Sequence, residues 1–162
     1  MISLKRVTPA DRETLWNIFQ KYLYELSAFY DMDMDGKGNF TYRHFDDYFI
    51  ENEREAYFVL SDGALAGFAM INGHSCLGED IDYAMAEFTI FPAFRGKGCG
   101  AEAVRQIFAG HRGRWEIKFS GRNMPAKALW TKAAAPFAPR VSSFEGTETV
   151  LSFVVAQTGW LA

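Results

Sequence analysis

Cysteine and histidine are scarce in this sequence. The two cysteines, Cys76 and Cys99, cannot build a disulfide framework, and neither belongs to a cluster with metal-ligand spacing. The three histidines, His44, His74 and His111, are too scattered to complete a metal set, so no metal is expected. Long apolar runs are missing as well. No stretch approaches the roughly 20 uninterrupted apolar residues that span a bilayer. The opening Met1-Ile2-Ser3-Leu4-Lys5-Arg6 has no apolar run behind its charges, unlike a secretory signal. A reducing cytoplasm, with no membrane partner, is the expected setting. No internal repeat, low-complexity segment or linker interrupts the chain, so residues 1–162 are expected to form a single domain.

Positive charge is not in excess either. The net charge is −3, which argues against nucleic acid as a partner. What is present is apolar substance: 49% of residues are hydrophobic and 16% aromatic, enough to bury a core and to exclude a disordered chain. Charge is also unevenly spread. Between Glu25 and Glu55 there are nine acidic residues against Lys37, Arg43 and Arg54, whereas Ala93 to Lys132 holds nine Lys or Arg against Glu102 and Glu116. One half suits a cation and the other a phosphate-bearing ligand.

Hydrophobic periodicity orders the elements. Ser3 to Val7 alternates like a strand. Thr8-Pro9-Ala10-Asp11 reads as a helix start, and Leu15, Trp16, Phe19, Leu23, Leu26 and Tyr30 recur at helical spacing. A short amphipathic piece follows near His44 to Ile50. Ala56 to Leu60 and Leu65 to Ile71 read as a β-hairpin around Asp62-Gly63. Ile81 to Phe91 reads as a long strand, Ala101 to Ala109 as helix, and Trp115 to Phe119 as strand. Asn123 to Ala134 is helical and Thr149 to Val155 is a closing strand. This order predicts a mixed α/β fold with helices on both faces of one sheet.

The chemistry concentrates where Phe88-Thr89-Ile90-Phe91-Pro92-Ala93-Phe94 runs into Arg95-Gly96-Lys97-Gly98-Cys99-Gly100 and then a helix. The leading N–H groups of a helix lack internal partners and converge, with the helix dipole behind them, into an anion site. Glycines at 96, 98 and 100 let backbone approach phosphate oxygens, and Arg95 and Lys97 add charge. A P-loop would need Ser or Thr after Gly-Lys, and Gly98-Cys99 supplies none. The dinucleotide fingerprint survives on the motif through Ala103 but fails on context, because it usually follows the first strand of its unit.

The loop resembles motif A of the GNAT superfamily of N-acetyltransferases, Gln/Arg-x-x-Gly-x-Gly/Ala, in Arg95, Gly98 and Gly100. Asn123-x-x-Ala126-x-x-x-Trp130 is similar to the Asn-x-x-Ala-x-x-x-Tyr of that family's last helix. The resemblance runs over residues 56–155. It implies a GNAT fold: a central, mostly antiparallel sheet, splayed after the strand ending near Phe91, with helices on both faces and acetyl-CoA as co-substrate in the splay. It also implies cofactor contacts at Ile90, Arg95, Gly96, Lys97, Gly98, Cys99, Gly100, Asn123 and Trp130. Arg122, Lys127 and Lys132 lie in the segments expected next nearest to it. The implied function is acetyl transfer to a primary amine of a small molecule or peptide by direct attack, in a monomer or homodimer. The acidic half of the chain suggests a cationic acceptor.

Two departures and one candidate base follow. Trp130 stands where many members carry a tyrosine acid for the leaving thiolate, and Ala134-Ala135-Pro136-Phe137 replaces the usual Gly-Phe. An acyl-CoA-binding module without turnover is therefore the alternative. Glu87, in a strand between Ala86 and Phe88, is the candidate general base, because a poorly solvated carboxylate has a raised pKa. Sheet alternation puts Glu87 and Ile90 on opposite faces unless a bulge intervenes. Tyr22, Tyr24 and Tyr30 are candidates for lining an acceptor pocket. Asp31-Met32-Asp33-Met34-Asp35-Gly36 starts like a calcium loop, but its twelfth place is Tyr42 rather than Glu, so it reads as an exposed acidic loop.

Overall fold

The computed structural model describes residues 1–156. Strands β1 (Ile2–Arg6), β2 (Glu55–Ser61), β3 (Ala64–Asn72), β4 (Tyr83–Ile90), β5 (Gly113–Ser120), β6 (Arg140–Phe144) and β7 (Glu148–Val155) form one sheet in the order β1-β2-β3-β4-β5-β7-β6. Every neighbouring pair is antiparallel except β4 with β5. Helix α1 (Arg12–Leu26) covers one face, and helices α2 (Cys99–Gly110) and α3 (Met124–Ala134) cover the other. The fold is thus a mixed α/β sandwich of a mostly antiparallel sheet, as the hydrophobic pattern predicts.

Each face has its own core. On the α1 side, Leu15, Phe19 and Leu23 of α1 pack against Phe58, Phe68 and Met70 of the sheet. On the other side Val104, Ile107 and Phe108 of α2 meet Trp115, Ile117 and Phe153. The helix start at Thr8 forms as read: the Asp11 carboxylate accepts from the Thr8 N–H at 3.0 Å and from its hydroxyl at 3.1 Å. The helix itself ends at Leu26, before Tyr30.

One strand escapes the sequence reading. β6, on the sheet edge, follows a 3₁₀ turn at Ala135–Phe137 and joins β7 through Glu145 and Gly146, both at positive φ. Glu-Gly lacks the Asn-Gly or Asp-Gly signature of a tight hairpin, and half-exposed Arg140-Val141-Ser142-Ser143 carries little alternation.

The splay is a register fact. β4 and β5 pair only at Tyr83 with Trp115, Ala84 with Glu116 and Met85 with Ile117. Beyond these pairs residues 86–90 and 118–120 diverge, and a cavity opens between them. Pairing stops at a β-bulge in β4: Met70 of β3 faces Glu87 while the next residue, Ile71, faces Met85. Ala86 is the extra residue.

Candidate active site

The bulge aims the base candidate. Met85 packs among the α2-side residues, and strict alternation would send Glu87 to the same side. The extra residue turns Glu87 to the α1 face instead. The bulge precedes Glu87, so the alternation from Glu87 to Ile90 is intact and the two point to opposite faces. Phe88 and Ile90 look toward α2, where an added Cβ at Gly100 would lie 3.5 Å from Ile90 Cγ1.

On the α1 face the Tyr22 hydroxyl donates to Glu87 Oε2 at 2.5 Å, and the Tyr42 hydroxyl donates to Oε1 at 3.3 Å. Burial pushes the Glu87 carboxyl up from its ordinary 4.5 to about 7, against the opposing pull of the two tyrosine hydrogen bonds and of Lys118. Burial beside Glu87 likewise pushes the phenols of Tyr22 and Tyr42 well upward, so both hydroxyls keep their protons. The Phe91 N–H donates to Ala66 O of β3 at 2.8 Å, and by alternation along β4 the Phe88 N–H faces away from β3, toward the cavity.

That cavity has a volume of about 1000 Å³. It runs from the phosphate-type loop (Gly96, Gly98, Cys99, Gly100, Ala101) through the splay (Glu87 to Ile90, Lys118 to Ser120) to an aromatic wall of Tyr22, Phe29, Tyr30 and Tyr42. Tyr30 donates to Glu148 Oε2 at 3.0 Å from the β7 side. Tyr24 does not contribute: it is 66% exposed on the opposite side of α1. Tyr42 was legible only as the residue that spoils a calcium loop. The loop itself closes on its own backbone, with Asp35 Oδ1 accepting from Lys37 N at 2.8 Å and Asn39 N at 3.0 Å.

The loop ahead of α2 has the shape of an anion cradle. Gly96 (φ 75°) and Gly98 (φ 79°) are left-handed, and a Cβ on either would meet no atom within 4 Å, so the space over the backbone is open. The first N–H to find its helical carbonyl is that of Glu102, on Gly98 O at 3.1 Å, so those before it can face a ligand. Cys99 turns its side chain into the core beside Ile90 and Ala103 and offers only backbone. A phosphate-bearing co-substrate such as acetyl-CoA fits this donor set.

The basic side chains of this region have protein partners of their own, and Arg95 also lines the cavity. Arg95 Nε donates to Ile90 O at 2.6 Å and its Nη2 forms an ion pair with Glu25 at 3.0 Å, so this arginine braces the end of β4 to α1. Lys97 folds back to Ala93 O at 3.2 Å, off the cavity wall. Arg122 donates to Phe29 O at 2.9 Å and ties the segment after α1 to the start of α3. Asn123 caps α3 by accepting from Ala126 N at 3.2 Å while lining the cavity. Trp130 is 5% exposed and packs edge-on to Phe88, 5.3 Å between centroids, with its rim on the cavity.

The acids of the segment Glu25 to Glu55 are mostly set back from the cavity wall. Of its nine acids only Glu25 lines the cavity, and Arg95 neutralises it. Asp46 pairs with Arg12, Glu51 with Arg54, and Glu55 with Arg6 and His111. Glu51, Glu53 and His74 bring ligand atoms within 4.8 Å of one another on the surface, a grouping that sequence spacing does not suggest.

A parallel junction that opens beside a bulge, a glycine-rich helix start and a half-buried carboxylate between them have the arrangement expected of an acyl-CoA-dependent transferase. The comparisons agree: residues 13–134 match the acetyltransferase (GNAT) family, and the chain belongs to it. Among solved structures it is similar to an acetyltransferase from Thermus thermophilus, with 22% identity over 95% of this chain and 97% of that one and a TM-score of 0.71. It is also similar to a GNAT-family acetyltransferase from Streptococcus agalactiae 2603 (14% identity, 96% of each chain, TM-score 0.73). A third is aminoglycoside acetyltransferase AAC(6')-Ib in complex with coenzyme A, at 14% identity over 95% of each chain and a TM-score of 0.68. No curated protein matches the chain significantly. Among the described residues no helix is long and apolar enough to cross a membrane.

Proposed function

We propose that the chain works as one acetyltransferase unit that moves the acetyl group of acetyl-CoA to a primary amine by direct attack, with Glu87 as general base. The observation that carries this reading is the aim of Glu87: a carboxyl with its pKa near neutrality, turned by a bulge into the same cavity onto which the phosphate-type loop opens. The backbone of Gly96, Gly98, Cys99 and Gly100 would hold the pyrophosphate. Ile90, Asn123 and Trp130 would flank the pantetheine arm, with Arg95 bracing the strand end beside it.

Acetyl-CoA supplies the acetyl group as a thioester. The acceptor amine enters protonated, as a cation, among the rings of Tyr30 and Tyr42 and beside Glu87, which suits an ammonium. Glu87 takes its proton and leaves a lone pair for attack; collapse of the tetrahedral adduct would break the C–S bond, with CoA leaving as thiolate and taking up the proton still on nitrogen, directly or through solvent. The Phe88 N–H, directed into the cavity, would meet the charge that develops on the thioester oxygen. The attraction for a cation thus resides in this cage.

The test is thermal unfolding with acetyl-CoA, set beside ATP and NAD. Ligand at 100 times its Kd should stabilise by about 2.7 kcal/mol, and the nucleotides should not. One observation favours a second reading: with Trp130 in the family tyrosine's place the cleft could bind acyl-CoA without turnover. Stabilisation by acetyl-CoA with no amine acetylated would select it.

A further inference from the structure

A second cavity of about 230 Å³ adjoins the first and shares Tyr42, Met85, Ala86, Glu87 and Lys118 with it. This is smaller than the roughly 300–1,000 Å³ of a drug-sized site, so it takes a fragment of a ligand. It lies on the α1 face, because Ala84, Ala86, Glu116 and Lys118 alternate with Met85, Ile117 and Phe119 on the other side.

Most of its polar groups already serve the protein. Glu116, 3% exposed, accepts from the Ser75 hydroxyl at 2.5 Å and the Cys76 N–H at 2.7 Å, and so holds the loop before β4. Asn72 donates to the Tyr48 hydroxyl at 3.2 Å and accepts from His74 N at 3.0 Å. Lys118 is different. Among the described residues its ammonium joins no salt bridge; it rests over the Phe144 ring, 5.1 Å from the centroid. Its field reaches Glu87, whose charged form it favours. Glu87 and Lys118 line both cavities and offer one carboxylate able to take a proton and one exposed cation that joins no salt bridge among the described residues, its ammonium resting over Phe144 outside both linings.

We propose that the acceptor is a small amino-acid-type zwitterion, and that Lys118 binds its carboxylate while the amine meets Glu87 and the side chain enters the small cavity. This rests on the acetyltransferase reading of the same cleft. An acceptor with positive charge at both ends would leave Lys118 facing a like charge, which disfavours it.

The experiment compares acceptor pairs that differ only in the carboxylate: methionine with methioninamide, tyrosine with tyramine, lysine with cadaverine. The wild-type protein is expected to prefer the carboxylate member in kcat/KM by about fivefold, the upper end for a solvent-exposed ion pair, and less as salt rises. Lys118→Gln removes the preference and Lys118→Glu inverts it toward cadaverine. Titration of the same pairs into protein saturated with CoA reads the preference as affinity, without turnover. Lys118→Gln also moves the acidic limb of the rate profile to higher pH, because Glu87 loses a favourable charge. A wild-type preference for the amides or diamines, or a preference that Lys118→Gln leaves intact, overturns the proposal. Acetylation of every pair without discrimination defeats it while sparing the transferase reading.

Discussion

The hydroxyl of Tyr22 and the carboxylate of Glu87 meet at 2.5 Å across 65 residues of sequence, joining the first helix to the bulge in β4. That hydrogen bond stabilises the ionised carboxylate and opposes burial, which raises the carboxyl to about 7. Tyr22→Phe removes the first of the three opposing influences and leaves Tyr42 and Lys118, so the Glu87 pKa rises further. The acidic limb of kcat/KM, expected near pH 7 in the wild type, should move to higher pH in the variant. A limb at the same pH in both would detach the titration from Glu87.

Glu87 also links stability to pH. Its folded-state pKa, about 7, lies above its ordinary 4.5. Between those values the unfolded chain has released its proton while the folded chain retains it, so stability falls as pH rises and the deficit is complete above the folded pKa. The size is on the order of 3 kcal/mol. Glu87→Gln should therefore melt several degrees higher than the wild type at pH 8 and alike at pH 4.5, as calorimetry at the two pH values would show.

At the phosphate-type loop, shape should outweigh charge. In Gly98→Val the new Cβ meets no protein atom within 4 Å, so its cost is a β-branched residue at φ 79° and a side chain over the backbone that a ligand must approach. Binding of CoA, by calorimetric titration, should be lost while the fold remains. Lys97→Ala, whose ammonium turns back to Ala93 O, should weaken binding only a few-fold.

Glu25 tempers the same loop through Arg95. With Glu25→Ala the guanidinium remains anchored to Ile90 O but loses its counter-charge. Affinity for CoA should increase by a few-fold at low salt, with a steeper salt dependence than in the wild type. Unchanged affinity would mean that the arginine acts only as a brace.

What the sequence reveals divides along local and long-range lines. The loop at 95–100 is legible because its glycines, strand and helix are contiguous and their chemistry is that of a helix start. The carboxylate at Glu87 is legible as a candidate, but its direction is not, because the bulge at Ala86 exists only against Met70 and Ile71 of β3. Arg95 reads from its neighbours as a free phosphate cation, and its pairing with Glu25, 70 residues earlier, is not visible in the local sequence. The acidic segment reads as a surplus of negative charge because several of its partners, Arg6, Arg12 and Arg95, lie outside it. Lys118 is one of nine bases in its segment and gains meaning only from the two cavities it borders. β6 is missed because a short edge strand carries little periodicity.

The most direct test of Glu87 as the base is acceptor-dependent release of CoA from acetyl-CoA, followed as free thiol with methionine, lysine and cadaverine as acceptors, in the wild type and in Glu87→Gln. Thiol release should require the amine and decline below about pH 7. It should fall about 10²- to 10⁴-fold in the variant, while acetyl-CoA still raises the melting temperature of both. Equal rates in wild type and variant, or no stabilisation by millimolar acetyl-CoA, would contradict the proposed mechanism.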